Sequence, residues 1–186
     1  MADVMIDIET LGNKPGVVLL SISAVSFEIE TGETSQIFHQ DIDVQSCVDK
    51  GLTIDGETVL WWLTQDKQAQ EKITDVSHRN KLTNVLRQFG MWLHDWNSKD
   101  AKIWGNSARF DLGILAAAYN ACNMRLPWEF YNEADVRTLV LFAPQIKKET
   151  AFEGIPHNGI DDCKHQIKYC SKIYQQLKFG LKAKKK

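Results

Sequence analysis

No stretch of about 18 consecutive apolar residues occurs in the sequence, which argues against a membrane-spanning helix. A basic, apolar leader is also missing, because a strand-like pattern begins by about residue 3. A cytoplasmic rather than a secreted protein is therefore expected. The four cysteines (Cys47, Cys122, Cys163 and Cys170) form no Cys-x-x-Cys pair. That argues against a zinc site or a disulfide framework and for reduced, buried thiols. Repeats and low-complexity linkers are absent. A broad excess of positive charge is absent too, with 22 basic against 24 acidic residues and a net charge of −2. Four of the lysines, Lys182, Lys184, Lys185 and Lys186, lie in the last five positions. Without them the body carries 18 basic against 24 acidic residues, net −6. A body this acidic is not a wide phosphate-binding surface. The lysine tail reads first as a disordered solubilising end and second as a help in holding a polyanion.

What is present suits one globular domain. The chain has 186 residues, 44% of them hydrophobic, and a mean hydropathy of −0.30. The expected organisation is a single domain over residues 1–178 and a basic tail over 179–186.

Two carboxylates, Asp7 and Glu9, stand two residues apart in Val-Met-Ile-Asp-Ile-Glu-Thr. Strand alternation puts both on one face and Ile6 and Ile8 on the other. The run from Val4 to Ile8 is otherwise apolar and predicts a buried central strand. Two buried like charges this close are costly unless a cation lies between them. A hard divalent ion such as Mg²⁺ takes oxygen ligands and keeps water on its open positions.

Residues 17–29 predict a long strand. Its apolar positions are first even (Val18, Leu20, Ile22, Ala24) and then odd (Val25, Phe27, Ile29), which implies a bulge or burial on both faces. Thr31-Gly32-Glu33 predicts a hairpin turn, and Phe38, Ile42 and Val44 mark a third strand. Leu82, Val85, Leu86, Phe89, Trp92, Leu93 and Trp96 follow helical spacing. Shorter helices are expected over Glu57 to Leu63, around Ile114 to Cys122, and over Val136 to Phe142. Ala101 to Trp104 predicts a short strand, Pro144 to Asn158 a loop, and Asp161 to Leu177 a final helix. Strands first and helices afterwards indicate an α/β fold on a mixed sheet.

On the last helix the apolar side is Cys163, Ile167, Cys170, Ile173, Tyr174 and Leu177. At about 100° per residue, with Cys170 as centre, Asp161 falls near 180° and Asp162 near −80°. Asp161 is thus expected toward solvent with His165, Lys168 and Lys172, and Asp162 at the rim of the buried face. His157 lies in the loop before it, where a histidine is reachable and titrates near neutrality. Asp111 follows Phe110 at a strand-to-helix junction and reads equally as a helix N-cap or a site residue.

Together these residues resemble the DEDDh exonucleases, the proofreading superfamily with a ribonuclease-H-like fold. Asp7-Ile8-Glu9-Thr10 matches the first motif, Asn106 through Asp111 the second, and His157 through Asp162 the third. Thr58 through Gln65, Trp104-Gly105-Asn106, and Trp128 followed by Asp135-Val136-Arg137-Thr138 are similar to phage and prophage exonucleases of the exonuclease VIII-like and T-even exonuclease A kind. They are similar also to the mycobacterial 3′–5′ exoribonucleases. One departure is Gly159, where the motif usually has alanine, and a modest effect on rate is expected from it.

The resemblance implies a ribonuclease-H-like mixed β-sheet, three antiparallel strands first, flanked by α-helices. It implies 3′–5′ hydrolysis of terminal phosphodiesters to nucleoside 5′-monophosphates with two Mg²⁺ or Mn²⁺ ions. Asp7, Glu9, Asp111 and Asp162 would hold the ions, and His157 would take a proton from the attacking water. Thr10, Leu11, Asn106 and Phe110 would line the terminal-nucleotide pocket. Trp61 and Trp62, about 100° apart on a helix, predict one ring inside and one at that pocket. Arg137 is read equally as a phosphate contact or a surface ion pair. The expected partner is a nucleic-acid 3′ end, DNA ahead of RNA, with a homodimer suggested by the mycobacterial relatives and the tryptophan-rich helix. The rival readings are a 3′–5′ exoribonuclease with the same site, a non-catalytic nucleic-acid-binding module, and another metal-dependent phosphatase or phosphotransferase.

Overall fold

The structure is a computed structural model that describes residues 2–96, 100–155 and 157–183. In chain order the strands are β1 (Asp3–Thr10), β2 (Leu19–Phe27), β3 (Thr34–Asp41), β4 (Ile103–Gly105) and β5 (Glu133–Asp135). The helices are α1 (Val44–Val48), α2 (Gly56–Thr64), α3 (Lys67–Thr74), α4 (Leu82–Trp96), α5 (Ala108–Ala121), α6 (Val136–Val140), α7 (Pro144–Glu149) and α8 (Gly159–Ala183). The sheet runs β3-β2-β1-β4-β5. Its first three strands are antiparallel, and β4 and β5 join parallel to β1. This is the mixed sheet flanked by helices that the motifs imply. No helix among the described residues is long and apolar enough to cross a membrane.

Each sheet face has its own core. Ile6, Ile8, Ile22 and Ala24 join Leu86, Phe89, Leu112 and Leu115 from α4 and α5 on one side. Met5, Val25 and Phe27 join Cys163, Ile167, Tyr169, Cys170 and Ile173 from α8 on the other. The parity change in β2 is therefore burial on both faces. Odd positions Ser21 and Ser23 are buried and polar, and their Cα partners in β1 are Glu9 and Asp7. The α8 face of β2 is polar beside the carboxylates and apolar beyond them, so strand parity itself never slips. Register irregularities do occur, at Glu9/Thr10 against β2 and at Val25/Phe27 against β3.

Several expectations are corrected. Val44 opens α1 rather than extending the third strand. Its helix is set by Asp43, whose carboxylate accepts the Gln45 and Ser46 N–H groups. The expected loop from Pro144 contains α7, started by proline at its first turn. Because α7 and α6 pack on α8, more of α8 is covered than its own apolar stripe implies. Tyr169 is buried in consequence, with Lys147 of α7 over its ring. The final helix also continues to Ala183, five residues into the expected tail; Lys184 to Lys186 lie outside the described residues.

Candidate active site

The carboxylates converge where β1 ends beneath the start of α8. Oxygens of Asp7, Glu9 and Asp162 lie within 4.8 Å of one another. Asp7 and Glu9 share the α8 face of β1, while Asp162 comes from the first turn of α8. Asn158 caps that turn: its Oδ1 accepts the Ile160 N–H at 3.2 Å, and its carbonyl accepts the Asp162 N–H at 2.9 Å. The helix can approach this closely because residue 159 is glycine. A Cβ there would stand 2.4 Å from Ser23 Oγ, 2.8 Å from Ser23 Cβ and 3.2 Å from Asp7 Oδ2. Glycine at the third motif is thus a requirement of packing.

Asp111 arrives from the other side of β1. It sits in the first turn of α5, but Ser107 holds the N-cap position, so the N-cap reading of Asp111 is set aside. The side chain is only 3% exposed. Its Oδ2 accepts the Asn106 N–H at 2.7 Å. Gly105 lets it in, since a Cβ there would come within 3.0 Å of Asp111 Cβ. Burial pushes the Asp111 carboxyl up to about 7, against hydrogen bonds from backbone N–H groups and the charge of Arg137. Burial also raises Asp7 well above the carboxylate range, and Glu9, Asp111 and Asp162 add to the rise by their charge. The other three acidic positions therefore act on Asp7. Asp111 is outside the close three-oxygen group but within electrostatic reach of it.

The junction carrying Asp111 is held by Asp135 at the end of β5. One Asp135 oxygen accepts the Ala108 N–H at the start of α5 at 2.7 Å. The other accepts the Thr138 N–H at 2.6 Å and the Thr138 hydroxyl at 2.8 Å in α6. Burial alone would raise Asp135, but these bonds and Arg137 hold its pKa below the ordinary value. Ser107 makes no side-chain cap, so Asp135 serves α5 across the sheet.

The Arg137 side chain is exposed and donates to the Asn106 carbonyl at 3.4 Å. It backs the second motif from outside. Phe110 packs against the α4–α5 core. Thr10 is buried, and its hydroxyl donates to the Gly12 carbonyl at 2.6 Å. Leu11 is buried in the same core. The side chains of Thr10 and Leu11 are thus turned into the protein.

The tryptophan pair divides. Trp62 is 1% exposed and its indole N–H donates to the Thr10 carbonyl at 2.9 Å. With so little surface it cannot be a direct substrate contact. Trp61 is 45% exposed and stands edge-on to His157, with ring centroids 5.7 Å apart. Of the pair, only Trp62 is enclosed within the chain. His157 has a left-handed backbone, φ 62°. Its loop is tied down by Asp161, which accepts the Ile155 N–H at 3.0 Å. Asp161 was expected in solvent; it is instead turned against the loop because Gly154, with φ 121°, passes directly over its carboxyl group. His165 is likewise drawn in, between the rings of Phe152 and Tyr169.

Two residues that the sequence reading passed over belong to this site. Gln166, one turn after Asp162, donates from Nε2 to Asp7 Oδ1 at 3.2 Å. Ser23 lies between Gly159 and His39, its Oγ 2.8 Å from His39 Nδ1. The signal for Ser23 was the pair of polar odd positions in β2. For Gln166 it was the four-residue step from Asp162.

The donor set is all oxygen and strongly acidic, with mutual repulsion raising the pKa of Asp7. That chemistry fits a hard divalent cation such as Mg²⁺ or Mn²⁺ and not a soft one.

Residues 2–174 match the family model described as the 3′–5′ exoribonuclease Rv2179c-like domain. The chain belongs to that family. The likeness to DEDDh 3′–5′ exonucleases drawn from the motifs is borne out. Among curated proteins no sequence matches this chain. The fold is similar to that of the nuclease domain of 3′hExo, a DEDDh family member bound to rAMP. That match has a TM-score of 0.61 at 15% identity and covers 94% of this chain and 92% of that one. Exonuclease X in complex with 5′-overhanging duplex DNA matches with a TM-score of 0.58 at 14% identity, over 93% and 91% of the two chains. Escherichia coli exonuclease I with a dT13 oligonucleotide gives 0.58 at 14% identity, over 95% of this chain and 41% of that larger one. At such identities these structures establish a shared fold, and the family match establishes a 3′–5′ exonuclease.

Proposed function

We propose that this exonuclease acts on RNA, removing nucleoside 5′-monophosphates from the 3′ end with two divalent cations. The reading is carried by the Asp7–Glu9–Asp162 cluster, backed by Asp111, in a chain whose family is described as exoribonucleases. The motifs alone leaned toward DNA, and the family match moves the preference to RNA. One catalytic domain running through α8 is part of the same proposal.

Asp7, Glu9 and Asp162 would hold one ion, and Asp7 with Asp111 the second. Bound there, the ions supply positive charge to the scissile phosphate and acidify the attacking water. His157 accepts the proton of that water on its imidazole as the new P–O bond forms. The P–O3′ bond breaks with its electron pair going to O3′, which takes a proton from solvent water to become the 3′-hydroxyl of the shortened strand, and His157 gives its proton back to solvent. Trp61 is the aromatic surface nearest His157 and offers its exposed face to the terminal base. Arg137 holds Asn106, and through it the loop that carries Asp111.

The test is a side-by-side digest of matched 3′-labelled RNA, single-stranded DNA and duplex DNA with Mn²⁺. Nucleoside 5′-monophosphates should appear first from RNA, and Asp7→Asn should abolish their release while the protein remains folded. Faster digestion of DNA would shift the substrate assignment to deoxyribonuclease. Undiminished release by Asp7→Asn would overturn the site.

A further inference from the structure

Gln166 is 5% exposed, an unusual place for an uncharged amide, and it faces the acidic cluster rather than the core. Its Nε2 donates to Asp7 Oδ1 at 3.2 Å, while its Oε1 is buried without a hydrogen-bond partner. Leaving an amide oxygen unpaired costs free energy, so the amide is oriented by its one bond, to Asp7. Turned over, it would set its oxygen against the carboxylate oxygen. The second Asp7 oxygen, Oδ2, borders Gly159, where a Cβ would lie 3.2 Å away. The carboxylate is thereby held by α8 at Oδ1 through an amide donor, while the absence of a Cβ at residue 159 leaves room beside Oδ2. Asp162 and Gln166 lie one turn apart, so the same helix face carries a ligand and the support of another ligand.

We propose that Gln166 is a positioning residue that fixes the Asp7 carboxylate so that Oδ2 is presented to the divalent cation; this rests on the cation site proposed above. An outer residue that orients a metal-binding carboxylate typically sets the affinity by about 10–100-fold.

The test compares Mn²⁺ dissociation constants, by calorimetry or electron paramagnetic resonance, for the wild-type protein, Gln166→Met, Gln166→Ala and Cys170→Ala. Cys170 is buried on the same helix but belongs to the apolar core that α8 shares with β2. Gln166→Met preserves volume and Gln166→Ala does not. Both should weaken Mn²⁺ about tenfold or more, while Cys170→Ala lowers the melting temperature of the metal-free protein without moving the Mn²⁺ constant. Wild-type affinity in a folded Gln166→Met protein would overturn the positioning role and leave the cation site standing. Equal weakening by Cys170→Ala would mean that helix packing alone sets the affinity, which also overturns it. A wild-type protein that binds no Mn²⁺ would overturn the cation site itself.

Discussion

Gly159 stands where the third motif usually has alanine, and the reason lies across the sheet at Ser23. The two residues cannot both carry a larger side chain, because a Cβ at 159 would overlap the Ser23 hydroxyl and crowd its Cβ. Overpacking of this kind costs about 1–3 kcal/mol. Gly159→Ala should therefore lower the melting temperature by roughly 2–10 °C and also lower turnover, since the shift falls on Asp162. Adding Ser23→Gly should recover most of both. An unchanged melting curve for the single variant would show that the helix start yields without strain. At this scale the sequence was readable for charge and unreadable for contact. Asp7, Glu9, Asp111, His157 and Asp162 are conspicuous by type and order, whereas Ser23 and Gln166 acquire meaning only from what faces them. Asp161 is the converse case. Its helical angle pointed outward, yet the loop through Gly154 folds back over it.

Among the elements, the long periodic ones were legible, and of the short ones α2, β4 and α6 were read from the sequence while α1, α3, β5 and α7 were not. The stripes of α4, α5 and α8 each bury a full helix face, so spacing alone located them. β5 has three residues and α7 six, too few for a period to emerge. β5 still matters to the site. Asp135, at the end of β5, ties the starts of α5 and α6 together, and α5 carries Asp111. Asp135→Ala removes both caps and should cost about 1–3 kcal/mol. Its kcat should fall as well, because the backbone that presents Asp111 is released. Asp43→Ala is the matched comparison, since Asp43 caps α1 away from the carboxylates. It should lower stability and leave kcat in place. Equal kcat values for the two variants would separate the Asp135 clamp from catalysis.

For the whole molecule, the acidic centre makes stability depend on pH and on metal together. Asp111 titrates at about 7 in the folded protein against an ordinary 3.8, chiefly through burial. Asp7 is raised as well, by burial and its acidic neighbours. A group with a raised folded pKa holds its proton more tightly when folded than when unfolded. Its contribution to stability is complete below the ordinary value and is lost as pH rises through the folded one. In chelator the melting temperature should thus decline between pH 5 and pH 8, and Asp111→Asn should flatten the decline. Mn²⁺ should raise the melting temperature most at the upper end, because ligation needs ionised carboxylates. Thermal scans across that range, with and without Mn²⁺, measure both effects; a metal-free profile that is level in the wild type would contradict them.

The carboxylates are also far apart in the chain, with Asp7 and Glu9 on the first strand and Asp162 on the last helix. During translation the first strand leaves the ribosome long before α8 has been made. A nascent chain therefore carries Asp7 and Glu9 without the Asp162 that completes their three-carboxylate cluster. A nuclease is synthesised among nucleic acids, and this order of elements leaves the cluster open until nearly all of its sheet and helices exist.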